Sequence, residues 1–127
     1  MKRIAIAVPL LLLFIAGTSL ACILLLRDTE QKAGVFIDAV EESALREDYT
    51  ACLDTLDGFA DFWEGRKSLY LLFVRHEEMH DIEIGIEQMT GFARCRDKAG
   101  IVGELCMLKA RLKHISDSEL PVLINIL

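Results

Sequence analysis

The sequence predicts an all-α fold, with an N-terminal transmembrane helix followed by a small antiparallel helical bundle. Three observations predict it. The run from Ile4 to Leu26 carries no charge and is bounded by Lys2 and Arg3 on one side and Arg27 and Asp28 on the other. No proline occurs between Pro9 and Pro121. After Arg27, apolar residues recur at the spacing of one helix face, and no alternating strand pattern is found.

The apolar run comes first. A helix rises about 1.5 Å per residue, so Ile4–Leu26 reaches roughly 34 Å against a hydrocarbon core of about 30 Å. Lipid offers the backbone no hydrogen bonds, so such a run must be helical. A cleaved signal peptide is the rival reading, because Ser19-Leu20-Ala21 has the small-x-small form of a cleavage site. The apolar residues continue past it through Cys22 to Leu26, beyond the about 7–15 residues of a signal core. That favours an uncleaved anchor over residues 1–27. Lys2, Arg3 and the amino terminus then stay in the cytoplasm, and Arg27 is offset at once by Asp28 and Glu30. The expected location is the cell membrane, single-pass, with residues 28–127 outside the cytoplasm.

Residues 28–127 are enough for one core. They hold all 20 acidic residues of the chain and 11 of its 14 Lys and Arg, a net charge of −9. This balance repels phosphate backbones and anionic headgroups, which argues against nucleic acid. Arg94, Arg96 and Lys98, and Lys109, Arg111 and Lys113, read as solvated faces and helix ends. Cys52, Cys95 and Cys106 show no paired spacing, so neither a zinc ribbon nor a disulfide framework is supported. They are expected to be small buried groups.

In order, Phe36, Val40 and Ala44 keep a spacing that lets the anchor helix continue outward. Glu47-Asp48 breaks it, and Asp48 can cap a second helix. That helix carries Tyr49, Cys52, Leu53, Leu56, Phe59, Ala60 and Trp63, with Gly65 expected to end or kink it. A third, from about Lys67 to Ala93, carries Leu69, Phe73, His76, Met79, Ile82, Ile86, Met89 and Ala93. Arg94–Lys98 is a polar connection with Asp97 as cap. The fourth carries Ile101, Leu105, Leu108, Leu112 and Ile115. Ser116-Asp117-Ser118-Glu119 reads as a capping box that opens a short terminal helix ending in Ile124, Ile126 and Leu127. The two hairpin-like halves are similar, but two units do not define a repeat.

Asp61-Phe62-Trp63-Glu64, the stretch from His76 through Glu83, Leu112-Lys113-His114-Ile115 and the close Ile124-Asn125-Ile126-Leu127 together resemble the bacterial domain-of-unknown-function family DUF4363. The resemblance covers most of the chain. It implies a short Firmicutes protein with one N-terminal membrane helix, a helical outer domain, a cell-envelope location and no assigned activity. It also implies an acid or another residue where this chain has His80.

One motif could carry chemistry. His76-Glu77-Glu78-Met79-His80 matches H-E-x-x-H, in which two imidazoles on one helix face hold zinc and Glu77 polarises a bound water. The third ligand would have to be Glu104 or His114. Against it, His76 falls on the apolar stripe and the neighbourhood is rich in acids. The E-x-x-H of a di-iron bundle also occurs, but only once. The sequence therefore assigns no catalytic, cofactor or metal residue. His76 and His80 remain the alternative, as ligands of a membrane-tethered zinc hydrolase. The leading reading is a non-enzymatic envelope protein whose bundle is a protein-interaction or scaffold module. Trp63 is an interface anchor only if exposed.

Overall fold

The structure is a computed structural model that describes residues 1–70 and 76–126, with side chains for 1–69, 77–115 and Asp117. Four helices, α1 (Lys2–Leu45), α2 (Tyr49–Tyr70), α3 (His76–Arg94) and α4 (Lys98–Ile126), and no strand make up the described residues. Each helix packs on the next, and α4 closes the ring against α1. Neighbours run antiparallel, as in an up-down-up-down bundle.

The first helix is continuous over 44 residues, about 66 Å, so the boundary expected at 27/28 falls inside one helix. Its apolar first half exposes Ile4, Ile6, Val8, Leu10 to Phe14, Leu20 and Leu24. It is long and apolar enough to cross a membrane. Its second half supplies Leu26, Ala33, Ile37, Val40 and Ala44 to the core. The other stripes are Cys52, Leu56, Phe59 and Trp63 on α2, Met79, Ile82, Ile86, Met89 and Ala93 on α3, and Ile101, Leu105, Leu108, Leu112 and Ile115 on α4. Phe36 stacks on Phe59 at 5.3 Å between ring centroids, within the α1–α2 seam.

The two hairpins α1–α2 and α3–α4 end in the same turn. Glu47 N–H reaches Ala44 O and Asp48 N–H reaches Ser43 O, a Schellman closure. Arg96 to Ala93 and Asp97 to Phe92 repeat it. Glu47 (φ 57°) and Arg96 (φ 55°) hold the left-handed position that glycine usually takes. Asp48 and Asp97 then cap α2 and α4 by accepting from Ala51 and Gly100 N–H at 3.2 and 3.0 Å. A shift of 49 residues superposes the pattern: Ala33, Ile37, Val40, Ala44, Cys52, Leu56, Phe59 and Trp63 map onto Ile82, Ile86, Met89, Ala93, Ile101, Leu105, Leu108 and Leu112, all buried. The bundle is thus a duplicated helical hairpin in its burial pattern and its turns.

Several expectations are corrected. Gly65 does not end α2, which runs on to Tyr70; Lys67 and Leu69 therefore belong to α2, and the described part of α3 starts at His76. The Ser116–Glu119 stretch opens no new helix, because α4 passes through it to Ile126. Of the cysteines, Cys52 is buried, and burial pushes its thiol up, helped by the Asp48 charge. Cys95 and Cys106 are exposed, because Cys95 lies in the turn after α3 and Cys106 faces out beside buried Leu105. Ala60 is exposed as well. The expected packing of Phe73, of the His76 side chain and of Ile124, Ile126 and Leu127 lies outside the described residues.

Candidate functional site

The H-E-x-x-H motif forms the first turn and a half of α3. Glu77 and Glu78 lie in the first turn, where the helix dipole favours acids. Met79, inside the motif, is a core residue. His80 points outward, and its Nδ1 lies 3.5 Å from Glu83 Oε2. Glu83 in turn pairs with Lys67 of α2 at 2.8 Å. The Lys67 hydrogen bond holds the Glu83 carboxyl below its usual range; burial opposes this and His80 adds to it. The same contact raises the Lys67 ammonium.

The two third-ligand candidates part company. Glu104 faces Gly85 and Gln88, whose amide donates to it at 2.9 Å. Gln88 lies roughly 12 Å along α3 beyond His80. His114 instead reaches the start of α3, with Nε2 3.6 Å from Glu78 Oε1. No group of three His, Cys, Asp or Glu side chains that could hold a metal occurs among the described residues.

What the α3–α4 seam does form is a groove of about 240 Å³ lined by Glu78, Asp81, Ala110, Arg111, His114 and Ile115. Arg111 Nη1 crosses it to donate to Asp81 O at 3.4 Å. Glu78 Oε2 is buried and has no hydrogen-bond partner among the described residues. A buried acceptor left unmade is costly, so a donor arriving there on a ligand gains more than it would at the surface. A second groove of about 290 Å³, between α2 and α3, is floored by Trp63 and Ile86 and rimmed by Lys67 and Glu83. Trp63 itself is buried and donates Nε1–H to Met79 O at 3.3 Å, so it is a core residue and not an exposed anchor.

Sequence reasoning missed Glu78 as a separate feature and took it for one acid among several. The available signal was its place beside Met79 and one turn before Ile82, at the edge of the buried stripe. The basic triplets do other work. Lys109 pairs with Glu41 of α1 at 2.9 Å and ties the ring shut, while Arg94 and Arg96 are exposed around the distal turn.

No curated protein and no solved structure matches the chain. The family described as "Domain of unknown function (DUF4363)" matches residues 23–126. That match starts inside α1, just before Leu26 enters the core, and takes in the whole bundle. The chain belongs to the family DUF4363, a domain of unknown function.

Proposed function

We propose that this protein is a non-enzymatic docking module of a bacterial cell envelope. In this reading α1 crosses the cell membrane once, with the amino terminus in the cytoplasm and the bundle outside. A protein partner seats a helix in the α3–α4 groove and brings a cationic or amide donor to Glu78. One observation carries the reading: the apolar, outward-exposed half of α1 passes without interruption into the bundle core. The unsatisfied Glu78 oxygen and the strongly acidic bundle favour a basic partner surface. Tethering both proteins to one membrane raises their local concentration, so a modest groove suffices.

The test is cross-linking in native membranes from a photoreactive residue placed at Ala110. A discrete adduct that is lost in Glu78→Leu, with impermeant maleimide reaching Cys95 from outside the cell, supports the reading. A bundle that stays monomeric, with no adduct from Ala110 or from the α2–α3 groove, overturns it.

A further inference from the structure

We infer that the last turns of α4, after Glu119, lie in the outer leaflet of the bilayer beside α1, so that the membrane holds two helices of this chain and not one. The inference rests on the membrane-anchoring reading above.

Three observations on different helices support it. The first is register. Leu112 and Ile115 surround the same small cavity as Leu26 and Thr29, and α4 runs antiparallel to α1. From Ile115, α4 continues as a helix to Ile126. At 1.5 Å per residue that is about 16 Å, which brings its end level with the middle of the apolar run.

The second is burial along α1. The covered stripe of the bundle, Thr29 and Leu26, continues downward through half-buried Ile23 and Cys22 to Ser19, which is only 5% exposed, and to half-buried Ile15. On the other faces Leu20, Leu24 and Phe14 remain 57%, 56% and 71% exposed. α2 is described as far as Tyr70, about one turn past the level of Asp28, to which Arg66 bonds. α4, described as a helix to Ile126, runs past the level of Ser19.

The third is the charge boundary. On α1 no charge occurs between Arg3 and Arg27; on α4 none occurs after Glu119 among residues 120–127. In the register above, Glu119 stands opposite about Cys22, roughly 7 Å to the membrane side of Arg27. The charged and uncharged parts of two antiparallel helices thus change over within about one and a half turns of each other, inside the interfacial zone of a bilayer. Leu69, 47% exposed near the end of α2, lies on the anchor side of this bundle as well. The occupant these features fit is lipid acyl chain.

The experiment uses the full chain reconstituted into vesicles of phosphatidylcholine and phosphatidylglycerol. Cys22, Cys95 and Cys106 are replaced by serine. Single nitroxide labels are then placed at Phe14→Cys, at Val122→Cys, Leu123→Cys and Ile124→Cys in turn, and at Asp54→Cys as the aqueous reference. Collision with oxygen, relative to a water-soluble nickel chelate, reads depth. The expected result is an oxygen-to-nickel ratio several-fold above the Asp54 value at Phe14 and at one or more of positions 122–124, since successive helical residues sample different faces. A lipid-like Phe14 with water-like labels at 122, 123 and 124 overturns the inference and leaves the anchor standing. Labels at all three positions shielded from both reagents also overturn it, in favour of protein packing. A water-like Phe14 overturns the anchor and the inference together.

Discussion

Glycine at Glu47 and at Arg96 should stabilise the bundle. Both residues end a helix in the left-handed region, at φ 57° and 55°, and both are exposed. A Cβ in that region costs about 1–2 kcal/mol. Glycine avoids this cost but loses roughly 0.5–1 kcal/mol more chain entropy on folding. The balance is a gain of about 0.5–1 kcal/mol for Glu47→Gly. Arg96→Gly gains less, because removing a cation near the end of α3 gives back about 0.3 kcal/mol. The effects of the two sites should add, since neither side chain takes part in the core. For a bundle of this size 1 kcal/mol moves the melting midpoint by about 4–8 °C. The double variant should therefore melt several degrees above the parent, in the full chain in mild detergent, followed by helical circular dichroism and Trp63 fluorescence. Glu47→Ala and Arg96→Ala keep the Cβ and should show no such rise. Glycine variants that melt at or below the parent temperature, or alanine variants that rise as much, would refute the reasoning.

Gly100→Ala should do the opposite. Its Cβ would stand 2.5–2.8 Å from three ring carbons of Phe92, a clash within the first turn of α4. Overpacking costs about 1–3 kcal/mol, against roughly 1 kcal/mol of added helix propensity, so urea unfolding should show a net loss that Phe92→Ala partly relieves. Stability should fall as the solution is acidified through the depressed Glu83 range, because that carboxylate contributes only while ionised. The raised Lys67 is lost only as pH rises past its usual 10.5. Glu83→Gln should flatten the acid limb of a plot of urea midpoint against pH. Elemental analysis of the purified chain should find no stoichiometric zinc, and His80→Ala should not change it, because His80 already meets Glu83 and Glu104 lies two turns away. Stoichiometric zinc in the parent that disappears in the variant would establish the site instead.

The stripes were legible because burial and helical period say the same thing. Val40, Ala44, Leu56, Ile82, Ile86, Leu105 and Leu108 are core residues at the positions their spacing predicts. The caps at Asp48 and Asp97 were legible for a similar reason, since a side-chain acceptor at a helix start is a local device. Boundaries set by tertiary packing were not. Gly65 and the Ser116–Glu119 stretch carry genuine stop and start signals, yet α2 and α4 run through both. The cost of one glycine, about 1 kcal/mol, is small beside the packing of a whole helix face. The turns after α1 and α3 were placed by Glu47-Asp48 and Arg94–Lys98, but their left-handed residue was not legible, because a Glu or Arg there leaves no glycine to read. The duplication was visible only as a resemblance between halves until burial aligned Cys52 with Ile101 and Trp63 with Leu112, pairs that share position but not chemistry. Glu78 stayed hidden because its neighbours in sequence are acids, while its neighbours in space are Ala110, His114 and Ile115.

The unbroken course of α1 has a mechanical consequence. Between Leu26 and Leu45 it is a lever about 30 Å long, clamped into the core by Ala33, Ile37 and Val40. In the membrane-anchored reading proposed above, an apolar run longer than the local bilayer tilts to fit, and with no joint between run and bundle the whole bundle tilts with it. About 10° of tilt swings the Asp48 and Asp97 turns sideways by roughly 5 Å. Rotation of α1 about its own axis sweeps the α3–α4 groove through the same angle. Bilayer thickness would thus be read out as the bearing of the groove, much as a weathervane on a stiff shaft reports what happens at its base.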